Sequence, residues 1–260
     1  MIVSHRHRFI FIKTRKTAST SVELYLRQFC GPDDIITRDT DEDERLARDL
    51  GLPGPQNIKT TYTMPWRMRG RDLWWARTHR RYPRRYDIKT HADAATIRSY
   101  VGEDVWNSYA KITTVRDPWD ATVSLYYWRR SSRSPNGPDR TIDTAVDRAA
   151  RNWESYTIEG VPVVDHVIRY EQLARDVQDV CDQLGLVATM PLHVAKGGLR
   201  PERSPASEVL SPNQARRVAE IARDEIAWLG YEWSGPDLGL SSDGDGPSTS
   251  IQSSTTRSTE

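Results

Sequence analysis

Short apolar runs alternate with longer amphipathic segments along most of this chain, and this alternation constrains its fold more than any other feature. The runs "RFIFI", "YAKITTV" and "VPVVDHVIRY" have the length and composition of buried strands. The segments between them, such as "VELYLRQF" and "EQLARDVQDVCDQLGL", place apolar residues at helical spacing. Strands that alternate with helices predict a central parallel sheet covered on both faces, which is a three-layer α/β/α sandwich.

The composition predicts one folded domain followed by a tail. A chain of 260 residues with 37% hydrophobic residues is long enough for one α/β core. We expect residues 1–233 to form this domain, with a polar excursion over 31–86 that carries one short acidic helix. Residues 234–260 are mostly Ser, Thr, Gly and Asp, so we expect them to be disordered.

Charge and cysteine content exclude several classes of protein. The formal net charge is +1, which argues against nucleic acid as a partner. Cys30 and Cys181 are far apart in sequence, so they suggest neither a metal cluster nor a disulfide framework. The apolar run near the N-terminus is too short for a signal peptide or a membrane span. We therefore expect a cytoplasmic protein that uses no metal.

The polar loop "KTRKTASTS" follows the first strand-like run and precedes a helix, yet it contains no glycine. Ser19, Thr20 and Ser21 lie where a helix start leaves free N–H groups and a positive dipole end. Hydroxyls and amides there, with a lysine above them, would form a cradle for phosphate or sulfate. The alternative is that the hydroxyls only cap the helix and the lysines are solvated.

The segment "TTVRDPWDATVSLYY" places Arg116 at the end of a buried strand, where a guanidinium can bind a phosphate with two hydrogen bonds. Asp117 is predicted to cap the following helix, with Pro118 at its first position. Ser124 would add a hydroxyl from that helix. The alternative is that Arg116 belongs to a structural ion pair and Ser124 to the packing.

The segment "IKTHADAATI" contains a candidate base. His91 is a suitable general base for an alcohol at neutral pH. Lys89 lies two residues earlier, on the same face of an extended chain. A capping or core histidine is the alternative.

Together these motifs resemble those of sulfotransferases, over about Phe9 to Trp233. "KTASTS" resembles the family's phosphosulfate-binding loop, which puts Lys16 rather than Lys13 in register. "VRDPWDATVS" resembles the segment that binds the 3′-phosphate, and "KTH" resembles the segment that supplies the catalytic histidine of cytosolic members. "AKGGLRPER" lies where the family places a loop over the 3′-phosphate. The resemblance implies a P-loop NTPase-like sulfotransferase fold.

The resemblance also implies the reaction and its residues. The donor would be 3′-phosphoadenosine 5′-phosphosulfate (PAPS), the product adenosine 3′,5′-bisphosphate, and the acceptor a hydroxyl or amine of a carbohydrate or small molecule. The catalytic residues implied are Lys16, Lys89 and His91, with a carboxylate as the alternative base. The donor-binding residues implied are Lys16, Thr17, Ala18, Ser19, Thr20, Ser21, Arg116, Ser124, Lys196, Gly197 and Gly198.

Alternatives remain open both for the acceptor and for the class of reaction. Residues 67–85 carry eight arginines interleaved with aromatic side chains, which would suit an acidic sugar chain or an aromatic acceptor. Arginines outnumber lysines 31 to 6 in the whole chain, so a solvated arginine-rich face fits equally. A P-loop nucleotide kinase or NTPase stays open, although its G-x-x-x-x-G-K-[ST] loop is absent. A non-catalytic anion-binding protein stays open as well.

Overall fold

The structure is a computed structural model that describes residues 1–62, 84–131, 141–149, 151–193 and 204–239. Its strands are β1 (Ile2–Ser4), β2 (Phe9–Ile12), β3 (Ile35–Ile36), β4 (Thr60–Tyr62), β5 (Arg84–Tyr86), β6 (Ala110–Val115), β7 (Thr157–Ile158), β8 (Val161–Pro162) and β9 (His166–Arg169). Five of them form the central sheet in the order β3-β1-β2-β6-β9. The pairs β4-β5 and β7-β8 form two separate small ribbons.

Helices surround this sheet. They are α1 (Ser19–Arg27), α2 (Asp41–Asp49), α3 (Ala94–Val101), α4 (Glu103–Ser108), α5 (Pro118–Ser131), α6 (Ile142–Ala149), α7 (Trp153–Tyr156), α8 (Leu173–Gln183), α9 (Ala206–Val209), α10 (Pro212–Ile221) and α11 (Arg223–Leu229), with a 3-10 turn at Tyr170–Gln172. The predicted acidic helix is α2. The predicted start of α5 is confirmed, because Asp117 Oδ1 accepts the N–H groups of Trp119 at 2.8 Å and Asp120 at 2.9 Å.

The sheet is buried on both faces, as the alternation of apolar side chains in β2 requires. Phe9 and Phe11 pack in one core with residues of α1 and α8. Ile10 and Ile12 pack in a second core with residues of α3, α4, α7 and α11. All four β2 side chains are fully buried. Helices therefore cover both faces, and the predicted three-layer α/β/α architecture is confirmed.

Parallel pairing brings three strand ends to one edge of the sheet. Strand β6 runs parallel to β2 on one side and to β9 on the other. Ile12 is opposite Thr113, and Val115 is opposite Arg169. The segments that follow β2, β6 and β9 therefore meet at the carboxyl edge, which is where α/β sheets bind ligands.

Strand β1 differs from the predicted parallel arrangement, because it pairs antiparallel with both β2 and β3. Only His5–Arg8 connects β1 to β2, and a parallel connection would need a crossover of about a dozen residues. The carboxylate of Asp34 accepts the N–H groups of His5 and Arg6 in this turn. The short connection thus forces a hairpin.

Other predictions were only partly right. The segment "YDIKTH", which contains Lys89 and His91, has a strand-like sequence and predicts an extended chain, but β5 ends at Tyr86 and a turn follows. The segment "SPNQARRVAEIARDEIAWLGY" is typical of one continuous last helix, but Ala222, with a ψ of 19°, separates α10 from α11. Most of the arginine-rich stretch 67–85 and most of the predicted tail lie outside the described residues.

A buried carboxyl group on α11 makes the stability depend on pH. Glu225 Oε1 accepts a hydrogen bond of 2.7 Å from the Tyr156 hydroxyl, and both residues are buried. Burial raises the pKa of Glu225 from 4.5 to about 7. The folded state therefore holds this proton more tightly than the unfolded chain does. The resulting stability is complete below pH 4.5 and is lost as the pH rises through about 7.

We expect Glu225→Gln to flatten this pH dependence, since the amide oxygen still accepts the Tyr156 hydrogen bond and does not ionise. From about pH 5 to about pH 8, the wild-type protein should lose about 2–3 kcal/mol more unfolding free energy than the variant. Urea denaturation at both pH values measures the difference. Parallel losses in the two proteins would show that Glu225 does not titrate in this range.

Candidate active site

Three segments meet at the carboxyl edge of the sheet: the β2–α1 loop (residues 13–18), Arg116 after β6, and the turn after β9. Arg116 Nη1 donates a hydrogen bond of 3.1 Å to the carbonyl oxygen of Lys16. The backbone N–H of Asp117 donates one of 2.8 Å to a carboxylate oxygen of Glu171. The structure thus brings the first two sequence motifs into direct contact.

The β2–α1 loop adopts left-handed backbone conformations without glycine. Lys16 has a φ of 62° and Ala18 a φ of 60°. Such a conformation costs a non-glycine residue about 1–2 kcal/mol, so the surrounding contacts must impose it. Successive N–H groups in turns of this kind form concave anion-binding sites. The missing glycines therefore do not prevent the loop from taking an anion-binding shape.

Three buried threonines hold the loop against β6. The hydroxyl of Thr14 lies 2.8 Å from that of Thr17 and 2.9 Å from that of Thr114, and the hydroxyls of Thr17 and Thr114 are 2.7 Å apart. Ser19 Oγ donates a hydrogen bond of 2.6 Å to the Thr14 carbonyl. The hydroxyls of Thr17 and Ser19 are thus engaged inside the protein, and their backbone N–H groups are what they present to a ligand.

Four backbone donors cluster where α1 begins. Among the described residues, no acceptor binds the N–H groups of Thr17, Ala18, Ser19 and Thr20. The N–H of Ser21 instead donates to the Ala18 carbonyl at 2.9 Å, within the first helical turn. These donors lie at the positive end of the helix dipole, so an anion is the natural acceptor.

One face of α5 lines the same site. Asp120, Ser124 and Trp128 follow one another at four-residue spacing, which aligns them along the helix. Asp120 Oδ2 accepts a hydrogen bond of 2.7 Å from Arg116 Nε, and Lys16 Nζ lies 5.1 Å from the Trp128 ring centroid. Ser124 is half-buried between these two contacts. Its hydroxyl has no hydrogen-bond partner in the described part of the chain.

Arg116 is held on three sides. Besides Asp120 and the Lys16 carbonyl, the ring of Tyr170 stacks on the guanidinium at 3.7 Å from centroid to Cζ. A guanidinium has five N–H donors. The contacts with Asp120 and Lys16 occupy three of them, which leaves two for a ligand. The structural ion pair that was the alternative role for Arg116 is therefore present, with Asp120 as the partner. It also orients the Arg116 side chain.

His91 is joined to the β2–α1 loop. Its Nδ1 lies 3.0 Å from the carbonyl oxygen of Lys13. Because a carbonyl only accepts, Nδ1 carries the proton and Nε2 keeps a free lone pair. Burial lowers the pKa of His91 to about 4, so the ring is neutral at physiological pH. The side chain of Lys89 is exposed and has no partner among the described residues.

The other loop lysine, Lys13, lies in a buried charge cluster instead of the site. Its Nζ is 2.8 Å from Glu23 and also pairs with Asp39. Glu23 binds Arg27 at 2.8 Å, and Arg27 binds Glu44 at 2.9 Å. Lys13 is only 1% exposed. It therefore cannot reach a ligand, which leaves Lys16 as the lysine of this loop at the site.

Part of the predicted site cannot be compared with the structure, since Lys196, Gly197 and Gly198 lie outside the described residues. In the described ranges, no group of His, Cys, Asp and Glu side chains is arranged to hold a metal ion. None of the helices in those ranges is long and apolar enough to cross a membrane.

Comparison with known proteins shows the family of this chain. A sequence model of the sulfotransferase family matches residues 1–231. The chain belongs to the sulfotransferase family. No curated protein matches this sulfotransferase. A crystal structure of a sulfotransferase from Alicyclobacillus acidocaldarius is similar to it at 17% sequence identity, covering 87% of this chain and 97% of that one with a TM-score of 0.34.

Several residues of the candidate site were not singled out in the sequence. Tyr170 had a weak signal, because it is the last residue of a predicted strand. Thr114 lies inside the strand that ends near Arg116, and only the structure shows its contact with Thr17. Asn152 had no signal, since it contacts the loop from 137 residues away in sequence.

Proposed function

We propose that this sulfotransferase moves the sulfuryl group of PAPS to a hydroxyl or amine of a carbohydrate or small-molecule acceptor. The observation that carries the proposal is the contact between Arg116 and the Lys16 carbonyl. Because this contact joins the two motifs, it supports the proposal that both bind one ligand with an anionic group at each end. The 5′-phosphosulfate would lie on the β2–α1 loop and the 3′-phosphate at Arg116. The two free cysteines are consistent with a reducing, cytoplasmic setting.

The residues proposed to bind PAPS are those with N–H or O–H groups available for hydrogen bonds. Thr17, Ala18, Ser19 and Thr20 would bind the 5′ end through their N–H groups, and Ser21 would support the first helical turn. Hydrogen bonds to a charged group contribute about 1.5–3 kcal/mol each. Two N–H groups of Arg116 and the hydroxyl of Ser124 would bind the 3′-phosphate. Lys196, Gly197 and Gly198 would close over it.

The proposed reaction is an in-line displacement governed by positioning and charge. Lys16 would neutralise the charge that grows on the oxygen between phosphorus and sulfur as the bond from that oxygen to sulfur breaks. Lys89 would steady the sulfuryl oxygens. His91 Nε2 would take the acceptor's proton as its oxygen bonds to sulfur. The products are the sulfated acceptor, adenosine 3′,5′-bisphosphate and a protonated histidine, which returns its proton to water.

Thermal-shift titration tests the donor site. Adenosine 3′,5′-bisphosphate at about 100 times its dissociation constant should stabilise the protein by about 2.7 kcal/mol. The shift should exceed those from 5′-AMP and ATP at equal concentration, and magnesium should not be needed. Equal shifts with 5′-AMP would remove the 3′-phosphate from the proposal. A magnesium-dependent shift with ATP would favour a nucleotide kinase.

A matched pair of arginine variants sharpens this test. Arg116→Gln should reduce the response to adenosine 3′,5′-bisphosphate, because it removes the donors assigned to the 3′-phosphate. Arg98→Gln removes an arginine from an exposed ion pair with Glu103 and should leave the response unchanged. Equal responses of both variants would contradict the assignment.

A further inference from the structure

Asn152 holds the entrance of the β2–α1 loop from a distant part of the chain. It lies just before α7 and is 4% exposed. Its Oδ1 accepts the backbone N–H of Arg15 at 2.9 Å, and its Nδ2 donates to the Arg15 carbonyl at 2.9 Å. One side chain thus satisfies both polar backbone groups of Arg15, as a neighbouring β-strand would.

The two hydrogen bonds from the Asn152 side chain to Arg15 form a clamp, and Asn152 is itself held in place by its neighbours. The backbone carbonyl of Asn152 accepts the N–H of Ser155 at 2.9 Å, in the first turn of α7. The adjacent Trp153 packs edge-on against Tyr156 and Trp228, with ring centroids 5.6 Å and 5.8 Å apart. Asn152 therefore has a rigid base on the sheet face that carries α7 and α11.

Two fixed points bracket the strained part of the loop. Asn152 fixes Arg15, immediately before the left-handed Lys16. The Thr17–Thr114 contact fixes the residue between Lys16 and Ala18. A left-handed non-glycine residue persists only where its surroundings impose it. Loss of the clamp should let this part of the chain relax and displace the N–H donors of Thr17 to Thr20.

We infer that Asn152 is a positioning residue for the 5′-phosphosulfate end of the donor, an inference that rests on the proposed function. It touches no ligand itself and acts through the backbone of Arg15. Its effect should fall mainly on the 5′ end, because Arg116 keeps its contacts with Asp120 and Tyr170 even if its hydrogen bond to the Lys16 carbonyl weakens.

Calorimetric titration of Asn152→Ala with two nucleotides tests the inference. The dissociation constant for adenosine 3′,5′-bisphosphate should rise about 10-fold, which corresponds to the loss of roughly one hydrogen bond to a charged group. The constant for adenosine 3′-monophosphate, which lacks the 5′ anion, should stay within about twofold. A merely structural role would weaken both nucleotides together.

Gln56→Ala is the matched control. Gln56 Nε2 also clamps the backbone, donating to the carbonyls of Gly31 and Asp34 beyond the far end of α1. This variant should lose stability and keep both affinities. Wild-type affinity for both nucleotides in Asn152→Ala would overturn the inference and leave the proposed function standing. Failure of the wild-type protein to bind adenosine 3′,5′-bisphosphate would overturn both.

Hydrogen exchange on the wild-type protein gives a second test that does not depend on the variant folding. Without ligand, the Arg15 amide should exchange at least about 10-fold more slowly than those of Thr17 to Thr20, which lack acceptors. Adenosine 3′,5′-bisphosphate should slow the exchange of the Thr17 to Thr20 amides and leave the exchange rate of the Arg15 amide unchanged. An Arg15 amide that exchanges as fast as its neighbours would contradict a preformed clamp.

Discussion

Replacing His91 with alanine should lower the turnover number about 10²–10⁴-fold, the usual contribution of a general base. Its Nδ1 proton is held by the Lys13 carbonyl, so Nε2 is the atom that accepts a proton. Donor affinity should change little, since no donor-binding role is assigned to this ring. Release of adenosine 3′,5′-bisphosphate from PAPS, followed with a panel of hydroxyl acceptors, measures the loss.

The pH dependence of the activity tests the same role of His91, because the direction of the change is predicted. A base must be neutral to act, so activity is lost as the pH falls through the pKa of His91, about 4 in the free protein. The profile of kcat/KM for the donor reports this value. Bound donor brings negative charge, which raises the pKa of a histidine, so the acid limb of kcat should lie at higher pH.

His166→Ala is the matched control. Burial lowers the pKa of this histidine as well, but it lies at the start of β9, on the opposite edge of the sheet. Its removal should leave turnover unchanged. Full turnover in His91→Ala would mean that a carboxylate serves as the base.

Replacing Glu23 with glutamine should lower the free energy of unfolding by about 3–5 kcal/mol, the cost of leaving buried charges uncompensated. Glu23 lies between Lys13 and Arg27, at 2.8 Å from each. Burial alone would raise the pKa of Glu23, but the lysine and arginine charges hold it well below its usual range. Urea denaturation near pH 7 measures the loss.

Glu103→Gln makes the same substitution in an exposed ion pair with Arg98 and should cost at most about 1 kcal/mol. A loss in Glu23→Gln no larger than that in Glu103→Gln would show that the buried cluster contributes little to stability.

The sequence predicted the layers of the fold and the edge of the sheet at which the candidate site lies, because both follow from alternating strands and helices. It predicted Arg116 and the β2–α1 loop through local patterns of residues. It did not predict the left-handed Lys16 and Ala18. The contacts on either side of those residues come from Thr114 and Asn152, which lie about a hundred residues away or more in sequence. Long-range contacts of single side chains leave no periodic signal.

The two ends of Lys13 serve different purposes. Its ammonium group joins α1 and the segment before α2 within the protein interior. Its carbonyl oxygen orients the imidazole proposed to deprotonate the acceptor. The buried charge cluster and the orientation of His91 therefore both depend on the position of Lys13. A substitution near α2 that shifts Asp39 should therefore also shift the Lys13 carbonyl and the imidazole that it orients.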